Sequence, residues 1–175
     1  DVQQAWWQIS RGGARPVGLA GDSAGGWLAL ALALYAAAAG LPRPAGLALF
    51  SPLLDLGAAT SPGPEDLVLP ASFLADGVRA WCGAIPASDP RLDLLAAPLV
   101  GLPPTFVSFD REERLAADAR RLVAAGSRAG VQMRVEEARG LWHAWPLFAG
   151  LLPEAERTLA QAAAMLLPAS PGITA

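Results

Sequence analysis

Two residues in this chain could do covalent chemistry together: Ser23, set in the pentapeptide Gly21-Asp22-Ser23-Ala24-Gly25, and the chain's single histidine, His143. A serine hydroxyl is a weak nucleophile until a base takes its proton, and imidazole is the side chain best suited to that at neutral pH. A carboxylate that orients the imidazole and stabilises its charged form would complete the set. The stretch FDREERL offers Asp110, Glu112 and Glu113. Spacing does not choose among them, and a solvated acidic turn before a helix suits any of the three. The chemistry of such a set is acyl transfer. The pentapeptide alone carries little weight, since a chain of this composition contains a G-x-S-x-G by accident roughly one time in ten. Ser23 as a helix cap in a Gly-rich turn and His143 as an ordinary core or surface histidine are the plain alternatives.

What gives the residues meaning is the order of the elements that would position them. An apolar run at 16–20 (PVGLA) reads as a short strand leading straight into Gly21, and 24–39 reads as a helix ended by Gly40 and Pro42. A serine on so tight a strand-to-helix turn takes strained backbone angles that lift its hydroxyl clear. Glycines two before and two after it would make room for the crowded backbone. The helix start beneath it supplies unpaired N–H groups, those of Ala24 and Gly25, where an oxyanion would form. Further strands are expected at 46–51 (GLALFS), 105–109 (TFVSF) and 132–136 (QMRVE), with helices at 114–129 and 153–167. In the 114–129 helix, Asp118, Arg120, Arg121 and Arg128 are expected outward and Leu115, Leu122 and Val123 inward. Short apolar strands alternating with helices imply an α/β fold, a mostly parallel sheet flanked by helices. Residues 57–104 break that rhythm and read as a loop excursion with a short helical piece near 72–82. His143 then falls in a loop at the carboxyl end of a strand, where sheets of this type place ligands and catalysts.

Composition bounds the rest. The 175 residues are 53% hydrophobic, enough for one domain with a sizeable core, and the net charge is -3. All 13 basic residues are arginine and scattered, which argues against a nucleic-acid partner. The lone Cys82 has no disulfide partner and reads as a buried thiol, a lean towards a reducing, cytoplasmic compartment. One histidine and one cysteine do not assemble a typical zinc site, so neither metal nor cofactor is expected. The uncharged stretch between Asp22 and Arg43 reads as a helix buried against a sheet rather than a membrane span. The chain starts with Asp1, and DVQQAWWQI already reads as the body of an amphipathic helix, so an upstream segment is expected.

With those residues in view, the chain resembles the hormone-sensitive-lipase-like carboxylesterases, a branch of the α/β-hydrolases. AGDSAGG (20–26) resembles that branch's nucleophile elbow and SPLLDL (51–56) the segment after its next strand. LPPTFVSF (102–109) is similar to the lead into its acid loop, and GLWHAW (140–145) to its histidine loop. The resemblance implies a partial α/β-hydrolase fold and a Ser-acid-His triad hydrolysing short to medium acyl esters. Laying the family's acid-x-Leu pattern on Leu115 points to Glu113 as the acid, with Asp110 second; where relatives continue with an acidic pair, this chain has Ala116-Ala117-Asp118. It also implies an upstream His-Gly-Gly-Gly loop that the 175 residues lack, leaving the N–H groups of Ala24 and Gly25 as oxyanion donors and the 16–20 strand as an open edge. That edge invites homodimerisation or aggregation. Asp22, Trp142 and Trp145 are candidates to line the substrate, whereas Trp27 and Trp81 read as core. A non-catalytic ligand-binding module on the same fold, or a degenerate fragment, is the alternative. Amidase or lactonase chemistry would use the same three residues.

Overall fold

The computed structural model describes residues 1–11, 17–59, 66 and 68–166, with backbone alone at 11 and 58. The elements run α1 (Val2–Arg11), β1 (Leu19–Asp22), α2 (Ala24–Ala38), β2 (Leu47–Phe50), α3 (Leu56–Ala59) and α4 (Ala71–Cys82). They continue with β3 (Thr105–Asp110), α5 (Ala116–Arg128), β4 (Met133–Ala138) and α6 (Pro153–Leu166). The expected strand start at residue 16, the helix end at 167, and residues 60–65 and 67 of the expected loop lie outside the described residues.

The four strands form one parallel sheet in the order β1-β2-β3-β4. Alternation of side chains across the sheet divides the core in two. Leu47, Leu49, Val107 and Phe109 pack on one face against Leu30 and Ala33 of α2 and Ala119 and Leu122 of α5. Ala48, Phe50 and Phe106 face the other way, against Ala162 of α6. All six residues of β3 are buried, as expected of a strand covered on both faces. Trp6 ties α1 to α2 through Leu32 and Ala36, and its indole N–H donates to Pro42 O at 3.0 Å. Among the described residues no helix is long and apolar enough to cross a membrane.

Two expectations need correction. β1 begins three residues later than the apolar run at 16–20 and extends through Gly21 and Asp22, which pair with Leu49 and Phe50. Apolar composition marks what is buried, whereas the ladder marks what is paired. Asp118, expected to face outward, is buried. Its Oδ2 accepts from the backbone N–H groups of Leu54 (3.0 Å) and Asp55 (2.8 Å), so it staples α5 to the chain leaving β2. Burial pushes its carboxyl above the ordinary aspartate range, partly opposed by those two N–H donors.

In a parallel sheet every strand ends at the same edge. Ser23 follows β1, Ser51 follows β2, the acid loop follows β3, and the chain to His143 follows β4.

Candidate active site

Ser23 is held at φ 50°, ψ -119°, a left-handed conformation rare outside glycine, between the last residue of β1 and the first turn of α2. Such a conformation costs on the order of 1–3 kcal/mol and persists only where its surroundings over-determine it. Here they do. Ser23 N donates to Phe50 O at 3.0 Å, while Ser23 O accepts from Leu53 N at 3.1 Å and Gly26 N at 3.0 Å. The side chain makes no capping bond to the helix, against the helix-cap alternative. As at any helix start, the first-turn N–H groups of Ala24 and Gly25 have no intrahelical acceptor.

The glycines are not equivalent. A Cβ at Gly21 would stand 2.2 Å from Gly25 O, and one at Gly26 would stand 2.8 Å from Pro52 Cβ. A Cβ at Gly25 would meet nothing closer than Asp22 Oδ1 at 3.9 Å. The crowding expected at 21 and 25 therefore falls on 21 and 26, because the β1-to-α2 turn packs its second glycine onto the chain leaving β2.

Glu113 and His143 are brought together. Both are buried, 4% and 5% exposed, and Glu113 Oε1 lies 3.9 Å from His143 Nδ1. These two atoms are buried without hydrogen-bond partners and face one another. Glu113 Oε2 is occupied, accepting from Ser51 Oγ at 2.8 Å and Asp110 N at 3.3 Å. Asp110 is equally buried but is committed elsewhere. Its Oδ1 accepts from Glu112 N and its Oδ2 from Leu141 N, each at 2.9 Å, so it pins the acid turn to the strand-end chain approaching His143. Glu112 is exposed.

Beside Ser23 opens an apolar groove of about 230 Å³, lined by Ala24, Trp27 and Leu28 from the elbow helix, by Leu53 and Leu56, and by Phe73, Leu74, Gly77, Val78 and Trp81 from α4. The 57–104 excursion thus builds one wall of the site. The core reading holds in part for Trp27, which is half-buried and packs against the core as well as lining the groove, but not for Trp81, which is 59% exposed; the two rings meet edge to face, 6.0 Å apart at 69°.

The alpha/beta hydrolase fold family matches residues 2–147. The chain belongs to that family. This α/β-hydrolase is 35% identical over 176 residues to an acetyl-hydrolase of Streptomyces hygroscopicus, covering 95% of this chain and 58% of the relative. It is 33% identical over 150 residues to an esterase of Acinetobacter venetianus, covering 83% and 50%. A crystal structure of an esterase from the bacterial hormone-sensitive lipase family superposes with a TM-score of 0.82 at 30% identity, covering 93% of this chain and 57% of that one. These agree with the hormone-sensitive-lipase-like resemblance. The chain spans about half the length of the curated relatives it matches.

The remaining candidates are scattered in this hydrolase. Trp145 does not line a substrate path: it is 0% exposed, and its indole N–H donates to Thr158 Oγ1 of α6 at 3.2 Å. Its spacing of two from His143 suggested adjacency, but the chain turns there through a left-handed Ala144 (φ 56°) and sends Trp145 into the core. Trp142 packs edge to face on Phe148 and lines a hollow with Asp110 and Glu113 that shares no lining residue with the groove at Ser23. Asp22 lines a third hollow with Phe50, Ala144 and Leu147. Ser51, which the sequence offered only as the end of the 46–51 strand and inside the SPLLDL resemblance, is the residue missed; no local signal marks a hydroxyl whose partners lie 62 and 93 positions away. Among the described residues, no three His, Cys, Asp or Glu side chains converge as metal ligands.

Proposed function

We propose that this chain carries the nucleophile, base and acid of a serine carboxylesterase that hydrolyses short to medium acyl esters, with Ser23, His143 and Glu113 in those roles. The observation that carries the reading is the pair of orphaned buried atoms, Glu113 Oε1 and His143 Nδ1, facing each other at the sheet edge that also bears a left-handed serine. The elbow and the histidine loop are tied to one segment. Ser23 is bonded to Phe50 and Leu53, and Ser51 between them is bonded to Ala144.

With Nδ1 turned to the carboxylate, Nε2 is the nitrogen left to take the Ser23 proton. Ser23 Oγ attacks the ester carbonyl carbon, and the resulting oxyanion is met by the N–H groups of Ala24 and Gly25. The carbon–alkoxy bond then breaks, and the alcohol leaves with the proton from His143. Water attacks the acyl-serine, gives its proton to His143, and releases the carboxylic acid as Ser23 recovers its own. The 3.9 Å separation closes to hydrogen-bond length as charge develops on the imidazole, since catalytic contacts are often long before substrate binds. The apolar groove suits an acyl chain, and its lining offers little to hydrogen-bond a polar substrate. That favours esters over amide substrates with polar flanks.

A fluorophosphonate probe tests the reading: it labels Ser23, shown by mass spectrometry of the adducted peptide, and the Ser23→Ala variant takes up none. A folded wild-type protein that stays unlabelled while its groove still binds a fatty acid would be a ligand-binding module instead.

We also propose that the free edge of β1 pairs with a second copy. Among the described residues β1 is bonded to β2 alone. Leu19 N and Ser23 N point to β2, so the N–H groups of Ala20 and Asp22 point to the open side. Ala20→Pro removes one of those donors and leaves the β2 ladder intact. Weaker concentration-dependent association of that variant in sedimentation velocity is the expected result, and unchanged association would refute edge pairing.

A further inference from the structure

The geometry points to Ser51 as a positioning residue that sets the Glu113–His143 pair from behind, an inference resting on the esterase reading above. Ser51 is fully buried and, like Ser23, left-handed (φ 45°), with its backbone N–H donating to Ser108 O at 2.7 Å. Its hydroxyl touches Glu113 and the backbone of the residue after His143. Ser51 Oγ lies 2.8 Å from Glu113 Oε2 and 3.0 Å from Ala144 N. Chemistry fixes the direction of both bonds. A backbone N–H can only donate and an ionised carboxylate can only accept, so the single hydroxyl proton must go to Glu113 while the oxygen receives Ala144 N–H.

Two consequences follow. The carboxylate is tethered through Oε2 by Ser51 and by Asp110 N, which leaves Oε1 as the oxygen presented to the imidazole. Ala144 is the residue next to His143 and is left-handed, so the bond from its N–H helps hold the turn that aims the ring. One hydroxyl therefore couples the acid loop to the turn after His143, beside the bond that Asp110 Oδ2 accepts from Leu141 N. Without the hydroxyl, Ala144 N–H loses its acceptor and Glu113 Oε2 keeps only the longer bond from Asp110 N, a single tether that lets the carboxylate turn away from His143.

The left-handed backbone at Ser51 supplies the control. If only the turn shape matters, glycine is the ideal replacement, because it takes that φ without strain. If the hydroxyl matters, Ser51→Gly and Ser51→Ala fail alike. The chain holds one histidine, so a ¹⁵N-labelled imidazole reports on this pair directly. With the imidazole protonated at low pH, where the pair closes, wild type is expected to show a low-field proton on Nδ1 that is lost in both variants. Fluorophosphonate labelling of Ser23 should slow by about 10- to 100-fold in both, a fraction of what a positioned general base contributes. In ester hydrolysis kcat should fall while KM stays within about twofold, because the groove is untouched. A Ser51→Gly variant that keeps the low-field proton and labels at the wild-type rate would overturn the inference. Should wild type itself not label, the esterase reading fails separately, and the His143 resonance still decides whether Ser51 orders the pair.

Discussion

The two sides of the site are built to different standards. On the acid and histidine side, Ser51, Asp110, Glu113 and His143 are all buried, and Ser51 Oγ, Asp110 Oδ2 and Glu113 Oε2 are each bonded to a loop other than their own, leaving Glu113 Oε1 and His143 Nδ1 to face one another. On the nucleophile side, only the backbone of Ser23 is clamped. Its surroundings are an apolar groove with a 70% exposed Phe73 at the lip and a strand that, among the described residues, is paired along one edge only. The contrast follows from what each side must do. An acid–base pair works only at one separation, and hydrogen bonds supply direction. A chain-binding wall needs area and tolerance, which apolar contact supplies without direction.

The sharpest way to break the comparison is to exchange the two buried carboxylates of the locked side. Glu113→Gln removes the charge facing His143 and should lower kcat/KM by about 10³- to 10⁴-fold, the scale seen when a triad acid is neutralised. Asp110→Asn keeps an acceptor for one of its two N–H partners and should stay within about tenfold in kcat/KM, with its effect in melting temperature instead. Steady-state kinetics beside thermal melts of both variants distinguishes the two. The reverse pattern would make Asp110 the acid.

The elbow supplies the next contrast, inside a single motif. Gly21→Ala drives a methyl against the Gly25 carbonyl, a rigid backbone neighbour 2.2 Å away, and should cost about 3 kcal/mol or more or prevent folding. Gly25→Ala meets only ordinary contact and should fold within about 1 kcal/mol of wild type. Urea melts of the pair measure the difference directly. Equal loss at both positions would mean the turn is not as described.

Legibility in the sequence followed the same division. Elements whose signal is local were readable: the apolar β2 and β3, the helices α2 and α6, and the Gly-x-Ser-x-Gly turn. The choice of Glu113 over Asp110 was not readable from spacing, because both sit in one acidic loop and differ only in which backbone N–H groups reach them. It came from the family pattern around Leu115. Asp118 and Trp145 were misread for a shared reason. Each is a polar or amphipathic residue whose partner, the chain after β2 or Thr158, comes from a distant element, and helical periodicity or sequence adjacency says nothing of that. Trp81 was misread in the opposite sense, since large aromatics are usually core and an open apolar groove is the exception.

Asp118 extends the comparison to stability. Asp118→Ala strands the N–H groups of Leu54 and Asp55 and should cost about 2–4 kcal/mol, whereas Asp118→Asn keeps an acceptor and should cost about 1 kcal/mol. The pH dependence carries a sign. The folded state holds the Asp118 proton more tightly than the unfolded chain does, so this group's contribution is greatest below the ordinary carboxyl value of 3.8 and declines as pH rises above it. The asparagine variant lacks that decline, so its deficit against wild type should shrink between pH 4 and pH 7. A constant deficit across that range would remove the desolvation argument.

The smallest effect is expected on the open side, at Trp81. Its ring is more than half exposed and its partner is Trp27, whose indole N–H is held by Leu92 O at 3.2 Å, so removing Trp81 leaves the core and the Trp27 anchor in place. Trp81→Ala should therefore change stability by about 1 kcal/mol or less, the value of one edge-to-face pair. Its kinetic effect should depend on the substrate. A short acyl group at Ser23 does not reach the ring and is indifferent to it, whereas a longer chain laid along the groove covers it and loses buried apolar area when it is gone, at roughly 25 cal/mol per Å². KM for p-nitrophenyl esters should accordingly rise with acyl length in the variant relative to wild type, by about tenfold at the long end, with kcat nearly constant. An equal change at every length would mean that Trp81 acts on the elbow through Trp27 rather than on the chain, and would place part of the open side under the same tight constraint as the acid and histidine loops.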